Sequence, residues 1–152
     1  MNWKMPPRIK VYEALGSVAD GRVTVDGKKG KVVSSKKDKT YTVEFNGKDE
    51  IMANDNGSYW QGYLGYPSIA FLMQKGVIGY DKKTADSLTD IAWNDVNKKF
   101  KRDYGSTEKY CLDLTEERGM NRGKVMVEVD RIYSEIAKLN LKMLGEKKRP
   151  AK

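Results

Sequence analysis

The chain has 152 residues, a single cysteine and no histidine, and 29 Lys and Arg against 21 Asp and Glu leave it a formal charge of +8. One cysteine excludes an intrachain disulfide, and the missing histidines remove the usual zinc and non-haem iron ligand sets as well as Ser-His-Asp and Cys-His catalysis within the chain. The length suits one domain with a real core, and only carboxylates, lysines, tyrosines and hydroxyls are left for chemistry, so no cofactor and no metal are expected.

Residues 1–7 end in Pro6-Pro7, which cannot donate to regular structure, and a disordered start is expected there. Charges and prolines stand where a secretory signal would carry an apolar run. The longest apolar stretch, 69–73, is too short to cross a bilayer. The expectation is a cytoplasmic protein with no membrane partner. Residues 8–19 place Val11, Leu15 and Val18 at helical spacing, with Asp20-Gly21 as the stop.

The period then changes to two. Residues 22–25 alternate, Asp26-Gly27 signals a hairpin, a second strand follows at 31–35, and the polar run 36–39 turns the chain again. Residues 40–45 put Tyr41, Val43 and Phe45 on one face and Thr42 and Glu44 on the other; Asn46-Gly47 turns, and 51–53 give a short fourth strand. A meander of this kind, over about 22–53, is marginal alone and needs helices over its apolar face.

Residues 54–67, rich in Gly, Asn and Tyr, read as a long structured loop, and 68–75 as a short apolar helix ended by Gly76. A longer helix is predicted over 84–104, with Leu88, Ala92, Val96 and Phe100 inward, Trp93 at the flank and Gly105 as its stop. Residues 106–118 suggest a further short helix capped by Ser106. The clearest element is the last. Val125, Val129, Ile132, Ile136, Leu139 and Met143 alternate spacings of four and three, the stripe of a long amphipathic helix that runs to Gly145. The fold class expected is therefore α+β: a small antiparallel β-meander of three to four strands packed against several helices, with a long C-terminal amphipathic helix. Residues 8–145 form one domain, its helical part about 68–145, followed by a basic tail at 146–152.

The charge is uneven. Residues 22–48 hold eight basic side chains against three acids, Lys98, Lys99, Lys101 and Arg102 follow one another with no acid between, and 49–97 hold three lysines against seven acids. Lysines at Lys28, Lys29, Lys31, Lys36, Lys37 and Lys39, with the 98–102 run, suit a phosphate backbone, whose neutralisation releases counterions. Lysines outnumber arginines 22 to 7, which favours backbone contact over base readout. Tyr59, Trp60, Tyr63 and Tyr66, interleaved with glycines, offer rings on which bases stack. The same rings also suit core packing, and lysine-rich turns suit solubility and edge protection.

Asp86 and Asp90, with Asn94 and Asn97 continuing that helical side, have the spacing to hold a hydrated Mg²⁺, but such a row is more often the wet face of a helix. Cys111 has no histidine to activate it, and no phosphate-binding glycine loop is present. The reading is a non-enzymatic basic module that contacts nucleic acid, RNA in the first instance, mainly through backbone phosphates. The alternative is an interaction protein that forms a homodimer through the stripe from Val125 to Met143.

Overall fold

A computed structural model describes all residues, 1–152. The chain runs α1 (Ile9–Ala19), β1 (Val23–Asp26), β2 (Lys29–Val33), β3 (Thr40–Phe45), β4 (Glu50–Ala53), one π-helical turn (Gly57–Gln61), α2 (Tyr66–Lys75), α3 (Lys82–Asp86), α4 (Trp93–Lys99), α5 (Tyr104–Glu117), α6 (Arg122–Leu139) and β5 (Lys142–Met143). The architecture is α+β, as the periodicities imply, with one strand more than the meander predicts.

The sheet order is β1-β2-β3-β4-β5, antiparallel through β4, with β5 parallel to β4. Alternation sends Val32, Val43, Phe45 and Ile51 inward, all at most 4% exposed, while Lys29, Lys31, Thr40 and Thr42 stand in water on the other face. The inner face is covered by α2, whose Phe71 meets Phe45 edge to face at 6.1 Å. Gly30 lies under the same ring: a Cβ there would fall 2.5 Å from Phe71 Cδ2 and 2.7 Å from the Thr24 carbonyl, so only glycine fits.

Helix α1 is the hub. Ile9, Val11, Tyr12, Ala14 and Leu15 are at most 1% exposed, and the helix packs against α2, α3, α5 and α6. Burial on nearly every side makes it a central helix rather than the surface amphipath that three apolar positions suggest.

Several expectations are corrected. Residues 1–7 are not loose: Asn2 bridges to Lys142, Lys4 bridges to Tyr63, and the buried Trp3 donates its indole N–H to the Ile51 carbonyl at 2.9 Å. The predicted helix over 84–104 is two short ones, because the Ser87 and Thr89 hydroxyls donate back to the Thr84 and Asp86 carbonyls and Asp90 turns left-handed at φ 57°. Gly105 does not stop a helix but sits in the first turn of α5, which is capped by Asp103 rather than Ser106. Helix α6 ends at Leu139, where Asn140 takes the left-handed cap conformation (φ 51°), and Met143 belongs to β5.

The stripe on α6 is spent inside the chain. Val125, Val129 and Ile132 are fully buried and Ile136 is 3% exposed, with Leu139 and Met143 packed against the same core. These side chains are not free to pair with another copy, so the homodimer expected through them has no surface there. The tail is also tied down: Lys148 lies 2.8 Å from Glu44 on the outer face of the sheet, and the Ala151 N–H donates to the Asn54 carbonyl at 2.9 Å. No helix is long and apolar enough to cross a membrane.

Candidate functional site

The antiparallel register places the two lysine-bearing turns at opposite ends of the sheet. Asp26 pairs with Lys29 at the β1–β2 turn, while Val33 pairs with Thr40 at the β2–β3 turn. Lys28 and Lys29 therefore lie at one end, and Lys36, Lys37 and Lys39 at the other. Lys31 stands between them on the outer face. The six meander lysines are thus divided between the two ends of the sheet and its outer face.

At the β2–β3 end a cleft of about 840 Å³ opens between the 34–39 loop, the π-helical turn, α1 and α4. Its size lies within the range of roughly 300–1,000 Å³ usual for ligand sites. Lys36, Lys39 and Arg102 line it, with Trp60, Tyr63 and Tyr66. Three distant segments named from charge and aromaticity thus meet at one place. The remaining residues do not line it: Lys37 is exposed in the same loop, Tyr59 packs edge-on against Trp60 at 4.7 Å, and Lys99 lies over the Phe100 and Tyr110 rings at 5.5 and 5.9 Å. Lys98 and Lys101 are exposed beside it on α4 and the following turn.

The walls are built structures. In the 34–39 loop the Ser34 hydroxyl donates to Asp38 Oδ1 (2.8 Å) and accepts from the Lys39 N–H (3.1 Å). That same hydroxyl holds the Asp38 carboxyl below its usual range. Lys36 reaches Asp95 on α4 at 2.9 Å, joining loop to helix. The π-helical turn is organised by Asp55, which accepts from the Ser58 hydroxyl (2.6 Å) and the Ser58 N–H (3.2 Å). Burial pushes the Asp55 carboxyl up, and the two Ser58 bonds oppose this. Trp60 is left 69% exposed on the rim, whereas Tyr41 and Tyr66 lock together edge to face at 5.9 Å.

The floor is polar and was not visible as a site in the sequence. Lys10 Nζ sits 2.9 Å from Glu13 Oε2, and Asn97 Nδ2 donates to Glu13 Oε1 at 2.9 Å. Glu13 is 3% and Asn97 6% exposed. Gly16 allows this approach: a Cβ there would lie 2.9 Å from the Leu88 carbonyl and 3.1 Å from the Trp93 indole nitrogen. Trp93 therefore closes on α1 one turn beyond Glu13, and Asn97, one turn along α4, meets the carboxylate. Asn97 belongs to this buried floor and not to a wet helix face; Asp86, from the same proposed row, pairs instead with Lys82 at 2.7 Å. Burial works against the Lys10 charge, but Glu13 outweighs it and the ammonium is held well above its ordinary range. Its Nζ also lies 5.6 Å above the Tyr104 ring. Burial pushes the Tyr63 phenol up to about 12, and elsewhere it pushes the Cys111 thiol up to about 12.

The signal for this floor was a single acid on α1 flanked by Val11, Tyr12, Ala14 and Leu15 with a lysine three residues before it. Residues 3–142 match the family described as uncharacterised conserved protein UCP014422, and the chain belongs to that family. No curated protein and no solved structure matches it.

Proposed function

We propose that the chain is a non-enzymatic binding protein for single-stranded nucleic acid, RNA in the first instance, which seats a base in the cleft and its phosphates on the rim. The observation that carries this reading is the meeting of Lys36, Lys39 and Arg102 with the exposed Trp60 ring around one aromatic-walled cleft. Single strands are bound by this combination of cations along the backbone and rings under the bases, with stacking worth about 1–3 kcal/mol per base.

Fluorescence anisotropy of a labelled eight-nucleotide RNA, titrated with the full chain at several salt concentrations, tests the proposal. With Lys36 already paired to Asp95, two phosphates neutralised by Lys39 and Arg102 on a single strand imply a slope of log K against log salt of about −1.4. Replacing Lys36, Lys39 and Arg102 with alanine is expected to flatten that slope and weaken binding at least tenfold, while Lys28→Ala with Lys29→Ala, at the other end of the sheet, changes it little. Absence of binding at low salt, or greater sensitivity to the Lys28 and Lys29 pair, overturns the reading.

A further inference from the structure

We infer that Asp95 sets the affinity of the cleft by holding Lys36 away from the ligand's phosphates, so that removing this one carboxylate turns a third rim cation into a phosphate contact. This rests on the nucleic-acid reading above and adds to it the regulation of the same site, an anion built into the fold that competes with the strand.

The three rim cations are not alike. Lys36, Lys39 and Arg102 line one cleft, yet among them only Lys36 has a carboxylate within ion-pair distance, Asp95 Oδ1 at 2.9 Å. The hydrogen bond to Asp95, more than any other neighbour, holds the Lys36 ammonium above its ordinary range. Asp38, the other acid beside Lys36, takes the Ser34 hydroxyl on Oδ1 at 2.8 Å.

The pair crosses from one wall of the cleft to another. Lys36 stands in the 34–39 loop, where Ser34 fixes both Asp38 and the Lys39 N–H and Lys37 is left-handed at φ 62°. Asp95 stands in the first turn of α4, next to Asn94, which lines the cleft. Both side chains meet water, at 39% and 61% exposure. Such a pair adds little to stability, because hydration and side-chain entropy offset the Coulomb gain. Its exposure also makes the anion exchangeable, since a phosphate oxygen accepts from a lysine as a carboxylate oxygen does. Asp95 holds the advantage because it is anchored on the same fold and competes as an intramolecular partner.

Counterion release makes the consequence countable. With Lys36 held by Asp95, two cations take up phosphates and the slope of log K against log salt stays at about −1.4; a third free cation steepens it to about −2.1.

The test repeats the anisotropy titration of the eight-nucleotide RNA with Asp95→Asn, a change at an exposed side chain. Binding at low salt is expected to tighten by about three- to tenfold with a slope of about −2.1, and Asp95→Asn combined with Lys36→Gln is expected to return the slope to about −1.4. Asp86→Asn is the control. It takes one acid from the exposed Lys82–Asp86 pair (2.7 Å), away from the cleft, and raises the net charge equally; screening is expected to keep its effect under about twofold. The inference is overturned if Asp95→Asn binds as the unaltered chain does, if Asp86→Asn gains as much, if the double variant keeps the steeper slope, or if the unaltered chain already shows that slope. Each of these outcomes leaves RNA binding standing. If neither the unaltered chain nor any variant binds the RNA at low salt, the underlying reading falls, and this inference with it.

Discussion

Asn97 and Glu13, 84 residues apart, are joined by a 2.9 Å hydrogen bond beneath the cleft, and the other oxygen of the same carboxylate holds Lys10. Removing the charge at position 13 strands a mostly buried ammonium. Glu13→Gln keeps an oxygen for Asn97 yet is expected to cost about 3 kcal/mol, the usual order for breaking a buried pair by one partner. Glu13→Gln combined with Lys10→Met is expected to recover part of that loss. Urea unfolding of the two singles and the double closes the cycle, and strict additivity would show that the pair is not coupled.

Gly30→Ala drives a methyl into the Phe71 ring and the Thr24 carbonyl. Phe71 is fully buried and the carbonyl belongs to the backbone of the neighbouring strand, so neither yields cheaply. A loss of about 1–3 kcal/mol is expected, and Phe71→Leu in the same chain is expected to make the alanine less costly. Thermal denaturation of the four proteins checks this.

Trp60 is exposed and makes its one close aromatic contact with Tyr59. Trp60→Ala is expected to leave stability within about 0.5 kcal/mol while weakening single-strand binding by about 1–3 kcal/mol. An unchanged affinity in the anisotropy titration would remove the stacking platform from the mechanism.

Stability is expected to fall on the alkaline side. Burial, first of all, raises the Cys111 thiol from 9.0 to about 12 and the Tyr63 phenol from 10.0 to about 12, and it raises the phenols of Tyr12 and Tyr66 as well. Each stays neutral in the native state where the unfolded chain has lost its proton. Lys10, also raised, keeps its proton where an unfolded lysine sheds it. The native state therefore binds more protons than the unfolded one, and the stability present below about pH 9 is lost progressively towards pH 12. Urea midpoints at pH 8, 10 and 11 are expected to decrease in that order, with Cys111→Ala shallower over the first interval.

The strands were legible because period-two alternation and Gly-containing turns are local signals: the Tyr41, Val43, Phe45 face reads directly from the chain, as does the stripe on α6. The break between α3 and α4 was not. Leu88, Ala92, Val96 and Phe100 keep a helical spacing across it, and what opens the helix includes a bond from the Asp90 N–H to Asp20 Oδ1, 70 residues away. Of the cleft, the aromatic loop and the cations at 36, 39 and 102 carried a compositional signal, although composition could not say that Lys28 and Lys29 face the opposite end of the sheet. The floor carried almost none, because a lysine and an acid on a helix ordinarily mark its solvent side, and only the packing of α4 onto α1 turns them inward.

The bridge between Asn2 and Lys142 has a kinetic consequence. The four-stranded meander, α1 and α2 all lie within the first 75 residues and can pair locally, whereas the Trp3 N–H meets its acceptor, the Leu141 carbonyl, only when that later segment arrives. Ring closure over so long a span is entropically slow compared with the hairpins. A chain emerging during synthesis can thus assemble most of its sheet early, yet it keeps an unzipped margin along β4 until Lys142 and Met143 arrive to fasten it.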